Sequence, residues 1–113
     1  MELVLLNKGA DANAQRELYA DALWAASYRG HEAIVKLLLD NGADANAQGG
    51  VYGNVLQVAS YNGHEAVVKL LLDKGANVNA QGGHFGNALQ AALYRGYDTI
   101  VKLLLDKGAN VNA

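Results

Sequence analysis

The segment Val68–Ala80 reads VKLLLDKGANVNA, and the same letters recur without change at Val101–Ala113. A close variant, VKLLLDNGADANA, occupies Val35–Ala47, and a more divergent one, ELVLLNKGADANA, occupies Glu2–Ala14. Each copy begins 33 residues after the previous one. A fixed period of this length is typical of a solenoid, in which each unit packs on its sequence neighbours. The repeat therefore predicts one quasi-linear array, and it favours binding over catalysis.

The first half of a unit carries the signals that begin a short helix. In the unit Gln48–Ala80, Asn54 precedes an apolar segment and Gln57 follows three residues later. This spacing resembles a capping box, in which the two side chains satisfy each other's backbone amides. Asn87 and Gln90 repeat the pattern, and we expect Asp21 to hold the same cap position in the preceding unit.

The second half of the unit predicts a longer helix and a loop. The helix begins near His64 and runs to Lys74, with an apolar stripe too wide for burial on one side only. Gly75 ends this helix in a left-handed conformation. The segment 76–86 is rich in Asn and Gly, so we expect an extended, hairpin-like loop there and little strand.

Three motifs of this unit, Gly63-His64, Val67–Leu72 and Gly75–Ala80, together resemble the ankyrin repeat. The resemblance covers essentially the whole chain. It implies an all-α solenoid of stacked helix-turn-helix units with short hairpin loops. The chain departs from the family at Asn54–Gln57, where ankyrin repeats usually carry Thr-Pro-Leu-His. In style the units are similar to the ankyrin arrays of large fungal multidomain proteins, or to engineered consensus-like repeats.

The period divides the chain, residues 1–113, into a single array. Residues 1–14 form a partial repeat, and the fuller repeats are 15–47, 48–80 and 81–113. Neither end carries an obviously polar capping unit, which free-standing arrays normally need. We therefore interpret the chain as a piece of a longer array or as an engineered chain, and we expect self-association through the uncapped ends.

Composition excludes several classes of function. The formal net charge is −2, which gives no basic surface for nucleic acid or for a membrane. The chain has no cysteine, so no disulfide or cysteine-based zinc site is possible. We expect no cofactor and no metal. The absence of cysteine is compatible with a reducing compartment, and we expect an intracellular, cytoplasmic protein.

Residues that could serve catalysis are better explained by packing. A catalytic triad needs a nucleophile, a base and an orienting group. Ser27 and Ser60 occupy one small-residue helix position that becomes Leu93 in the next unit, so we interpret both serines as packing residues. His31 and His64 are also equivalent. Helix axes in stacked units lie about 8–10 Å apart, too far for both imidazoles to bind one zinc ion readily. In ankyrin repeats this histidine has a structural role, and we expect no enzyme activity.

Recurrent aromatic and polar side chains mark the candidate binding site. The ankyrin resemblance implies that the end of each first helix faces the concave groove, where partners bind. The groove positions are Tyr28, Arg29, Tyr61, Asn62, Tyr94 and Arg95, and Val51 and His84 join them as positions that differ between units. Tyr and Arg are enriched in binding hot spots. A tyrosine repeated in every unit is equally compatible with consensus packing, so both interpretations of the Tyr28 row stay open.

A second aromatic row, formed by Tyr19, Tyr52 and Phe85, is expected in the hairpins, where packing is the favoured explanation. The resemblance implies a protein–protein interaction module that holds a protein partner in its groove. The alternative is a structural or engineered repeat scaffold with no natural partner of its own.

Overall fold

The structure is a computed structural model that describes residues 12–49 and 53–111, with side chains from residue 14 onward. Six helices follow one another: α1 (Ala12–Arg29), α2 (Glu32–Asp40), α3 (Val55–Tyr61), α4 (Glu65–Asp73), α5 (Ala88–Arg95) and α6 (Asp98–Asp106). Among the described residues, extended pairing is limited to two isolated bridges, Gln48–Asn54 and Gly82–Gly86. The all-α prediction is confirmed.

The helices form two layers. The inner helices α1, α3 and α5 contact one another in chain order, and each packs against its own outer helix, α2, α4 or α6. The outer helices contact one another in the same order. Apolar side chains from both layers form one continuous core that includes Leu23, Leu38, Leu56, Leu71, Leu89 and Leu104. This arrangement is the expected solenoid.

Each outer helix ends in the same hydrogen-bonded turn. At the end of α4, Gly75 has φ +94°, a left-handed conformation that glycine adopts without steric cost. The Gly75 amide donates to the Leu72 carbonyl, and the Ala76 amide donates to the Leu71 carbonyl. These two bonds form a Schellman motif, which satisfies the last carbonyls of the helix. The predicted glycine cap is therefore confirmed.

The first helix differs from the expectation. Asp21 does not cap a helix, because α1 runs without interruption from Ala12 to Arg29 and Asp21 lies exposed within it. Tyr19, expected in a hairpin, lies in the same helix and is buried. The reason is local composition: residues 12–20 contain good helix formers and no glycine, whereas the equivalent loops carry Gly-Gly pairs.

The capping box of α3 is present in full. The Gln57 amide donates to Asn54 Oδ1 at 2.8 Å, and the Asn54 amide donates to Gln57 Oε1 at 2.7 Å. In α5 the Gln90 amide donates to Asn87 Oδ1 at 2.8 Å, which is one half of the same arrangement. The predicted cap residues of α3 and α5 are therefore confirmed.

Asparagine side chains connect the loops of consecutive units. Asn46 Nδ2 donates to the Gly75 carbonyl at 3.2 Å, and Asn46 Oδ1 accepts from the Asn77 amide at 2.7 Å. One period later, Asn79 makes the same two bonds with the Gly108 carbonyl and the Asn110 amide. Each amide group thus bridges two units and fixes their relative position.

Candidate functional site

The candidate surface lies where the inner helices end. Because each inner helix stops at a glycine turn and the units repeat every 33 residues, the same two positions of each unit come side by side. We call these positions the groove row: Tyr28, Arg29, Tyr61, Asn62, Tyr94 and Arg95. Tyr94 is 71% exposed and Tyr28 is 38% exposed, whereas Tyr61 is half-buried. Both arginines are exposed.

Three rings form a compact aromatic cluster within this surface. The Tyr61 ring stacks on Phe85 with centroids 4.6 Å apart and on Tyr94 with centroids 6.4 Å apart. Phe85 also contacts Tyr94, at 5.2 Å, and His84 packs edge-on against Phe85, at 5.0 Å. The loop aromatic and the groove row are therefore parts of one surface, which the sequence alone presented as two rows.

Arg95 is held against this cluster. Its guanidinium carbon lies 4.8 Å from the centroid of the Tyr61 ring and 5.5 Å from that of Tyr97. Arginine over an aromatic face gains cation–π attraction, and its N–H groups remain able to bind a ligand. These two contacts place the guanidinium beside the aromatic cluster.

His64 joins two units beneath the groove row. Its Nε2 lies 2.8 Å from the Tyr28 carbonyl oxygen, and since a carbonyl can only accept, Nε2 carries the proton. The ring lies directly against Gly30, where an added Cβ would be 2.5 Å from Nδ1. Tyr97 covers Gly63 in the same way one unit later. These contacts give His64 a structural role and orient the end of α1.

The comparisons with known proteins identify the family. A family model described as ankyrin repeats, in three copies, matches residues 2–82 and 53–113. The chain belongs to the ankyrin-repeat family. No curated protein gave a significant match. Ankyrin repeats are generally protein–protein interaction modules, and the proteins that contain them are typically non-catalytic.

Asn62 belongs to the groove row of this ankyrin array, and its side chain also hydrogen-bonds to the backbone. Its Nδ2 donates to the Val58 carbonyl at 2.9 Å and so helps to close α3. Val51, the other variable candidate beside His84, lies outside the described residues, as does Tyr52.

Trp24 occupies the position that Gln57 holds in the next ankyrin unit. Its ring stacks on Tyr28 with centroids 5.6 Å apart, and its indole lies against Gly49, where an added Cβ would be 2.6 Å from Cδ1. The glutamine of the next unit bonds to loop carbonyls instead. The equivalence of Trp24 to Gln57 is visible in the sequence, but the contacts of the indole with Tyr28 and Gly49 are not.

The serines and histidines do not assemble a catalytic or metal site in the described part of the chain. Ser27 and Ser60 are fully buried, and their hydroxyls have no hydrogen-bond partner among the residues described. No group of three His, Asp or Glu side chains lies close enough to hold a metal ion among the residues described. None of the described helices is long and apolar enough to cross a membrane.

Carboxylates on the outer side of the array pair with lysines. Asp40 accepts from Lys36 at 2.9 Å and lies 3.0 Å from Lys74 of the next unit. The hydrogen bond from Lys36, followed by that from Lys74, lowers the pKa of Asp40 below its ordinary value. Asp73 and Lys107 are 3.9 Å apart at the equivalent position. Negative charge on this side is thus partly neutralised within the array.

Proposed function

We propose that this ankyrin array is a protein–protein interaction module that binds a protein partner through its concave groove, without catalysis. The contact residues would be those of the groove row together with His84 and Val51. The observation that carries the proposal is the aromatic cluster of Tyr61, Phe85 and Tyr94, in which Tyr94 is exposed and Arg95 stacks on Tyr61.

The cluster has the properties of a binding hot spot. Tyrosine and arginine supply large contact area and directional donors, and both are enriched where truncation costs most binding energy. Their mutual stacking fixes the side chains in advance, which reduces the entropy that a partner must overcome. Tyr94 in particular is 71% exposed, so most of its surface is available for burial by a partner.

The alternative is a structural repeat scaffold with no natural partner of its own. In that case the tyrosines would serve only stacking between units. The exposure of both arginines does not favour this alternative, because a residue selected only for packing is expected to be buried.

Two further properties belong to the proposal. We place the protein in the cytoplasm, since a chain without cysteine suits a reducing compartment. We also propose self-association through the last unit, where Leu93, Leu105 and Val111 are 57%, 42% and 69% exposed. Exposed apolar side chains that lie close together favour burial against another molecule.

A random peptide library displayed on phage tests the groove. Binders selected on the purified chain are synthesised and titrated while the amide NMR spectrum is recorded. We expect shifts at Tyr61, Tyr94 and Arg95. Truncation of Tyr94 to alanine should weaken binding by about tenfold or more, as for a hot-spot tyrosine.

The matched control is Lys69→Ala on the exposed side of α4, which should leave both binding and helicity unchanged. Circular dichroism of each variant separates loss of binding from loss of fold. Binders that shift only outer-helix residues, or that tolerate Tyr94→Ala, would contradict the proposal.

A further inference from the structure

Charge is distributed unequally between the two sides of the array. Helix α3 has no charged residue, and α5 has Arg95 alone. Each outer helix, by contrast, carries two carboxylates and one lysine. The inner-helix carboxylates Glu17 and Asp21 lie eight or more residues before Arg29 on α1, about 12 Å or more along that helix.

Arg29 and Arg95 place positive charge on the groove row without an ion-pair partner among the described residues. The outer helices begin at Glu32, Glu65 and Asp98, but none of these forms an ion pair with either arginine in the described residues. Within the part of the chain that the structure describes, Arg95 stacks on the rings of Tyr61 and Tyr97. The groove row therefore carries an arginine at each end, although the whole chain has a formal net charge of −2.

Helix termini offer a different explanation for the two arginines, since a cation in the last turn interacts favourably with the helix dipole. That effect is worth about 0.3–1 kcal/mol at an exposed site. It does not require arginine, because Asn62 holds the position in α3 and closes that helix through its amide. A full positive charge on an exposed guanidinium remains available for a ligand in either case.

We infer that the groove binds an extended acidic peptide segment of a protein partner, with carboxylates at Arg29 and Arg95 and an apolar side chain on the aromatic cluster between them. Guanidinium groups bind carboxylates in a planar, two-point arrangement. The cluster of Tyr61, Phe85 and Tyr94 supplies an apolar surface at the same level of the array. This inference rests on the proposed function and specifies the chemistry of the partner.

The geometry limits the spacing of the two acidic residues. Arg29 lies on α1 and Arg95 on α5, with α3 between them. Because adjacent helix axes are about 8–10 Å apart, the axes of α1 and α5 are separated by at most about 20 Å. Arg95 leans back over Tyr61, which shortens the distance between the two guanidinium groups. An extended chain advances about 3.3 Å per residue, so the acidic residues should be separated by no more than about six positions.

The test uses peptides selected from the random library on the unmodified chain and then synthesised. We expect them to contain a pair of Asp or Glu within the predicted spacing, with Leu, Phe, Tyr or Trp between them. Exchange of either acid for its amide should weaken binding by about tenfold. Added salt should weaken the binding of the acidic peptide, because salt screens the attraction between its carboxylates and the arginines.

Charge reversal on the protein supplies the matched comparison. The affinity of the double variant Arg29→Glu with Arg95→Glu for the selected peptides should fall by about a hundredfold, if each arginine forms a charge-assisted hydrogen bond with a peptide carboxylate. The control, Lys69→Glu with Lys102→Glu, changes net charge equally on the exposed outer helices and should change affinity by less than about threefold. The neutral pair Arg29→Gln and Arg95→Gln covers the case in which the reversed variant does not fold.

The outcomes separate this inference from the proposed function. Selected peptides that need Tyr94 but are neutral or basic, or that tolerate both arginine variants, would contradict the inference of an acidic partner. They would still support the groove as the binding site. A library that gives no binder, or binders that map to the outer helices, would overturn both. Loss of binding in the arginine variants, together with retention in the lysine control, supports the inference.

Discussion

The side-chain nitrogen of Gln57 donates a hydrogen bond to the carbonyl oxygen of Gly82, 2.6 Å away in the loop of the following unit. The same nitrogen lies 2.9 Å from the Gly86 carbonyl, and the side-chain oxygen accepts from the Asn54 amide. One buried amide group therefore both begins α3 and fixes the next loop. Since that loop carries Phe85, this bond also positions part of the aromatic cluster.

Replacement of Gln57 by alanine should destabilise the chain by about 3 kcal/mol or more, because three hydrogen-bonded groups lose a buried partner. Gln90 is the matched control. It occupies the same position one unit later, is exposed, and has no side-chain bond to a loop in the described residues. Gln90→Ala should therefore cost less than about 1 kcal/mol. Denaturant titration followed by circular dichroism compares them, and equal losses would contradict the role assigned to Gln57.

Asn46 offers a test of the bridges between loops. Asn46→Ala removes both the bond to the Gly75 carbonyl and the bond from the Asn77 amide, so we expect a loss of about 1–2 kcal/mol. Asn46→Asp keeps the acceptor for Asn77 but has no donor for Gly75, and its loss should come from the Gly75 side alone. Amide exchange at Asn77 reports directly: it should be faster in Asn46→Ala and remain slow in Asn46→Asp. Equal exchange in the two variants would contradict the bridge.

A comparison of alanine substitutions at Gly30 and Gly96 separates the effect of backbone strain from that of close packing. Their φ angles are +75° and +76°, so alanine at either position adopts the same unfavourable conformation. That strain costs about 1–3 kcal/mol. At Gly30 the new Cβ would also lie 2.5–2.8 Å from the His64 ring, whereas nothing lies within 4 Å at Gly96. Gly30→Ala should therefore have the lower free energy of unfolding, and it should break the bond between His64 and the Tyr28 carbonyl. Identical unfolding curves would show that the His64 ring is not tightly placed.

Much of this fold was predictable from the repeat. The 33-residue period, Gly75 and the Asn54–Gln57 pair together predict the helix pairs, their ends and their stacking, because each signal is local and recurs. The prediction that Asp21 caps a helix was wrong because this unit departs from the repeat. It relied on equivalence between units, whereas the residues before Asp21 lack the glycines that open a hairpin in the other units.

The site was less predictable because its geometry depends on side chains of different units. Equivalence placed Tyr61 and Tyr94 in one row, but it could not indicate that Phe85 joins them or that Arg95 turns back over Tyr61. The bonds from Gln57 to the next loop were hidden for the same reason. They connect residues 25 and 29 positions apart through carbonyl groups, which leave no side-chain pattern in the sequence.

Exposed Leu93 is expected to contribute to self-association of the chain. It occupies the position of Ser27 and Ser60, which are both fully buried, yet Leu93 is 57% exposed. Leu105 and Val111 of the same unit are also exposed, so this unit presents several apolar side chains to solvent. We expect the chain to associate with increasing concentration, and Leu93→Ser to weaken that association.

Sedimentation equilibrium over a range of concentrations measures the effect. Leu93→Ser should shift the chain toward the monomer without lowering the free energy of unfolding, since an exposed leucine contributes little to the folded monomer. Lys69→Ser, on the exposed side of the middle outer helix, is the control and should associate as the unmodified chain does. A chain that stays monomeric throughout, or a Leu93→Ser variant that associates as strongly as the control, would show that this face has no affinity for a second copy.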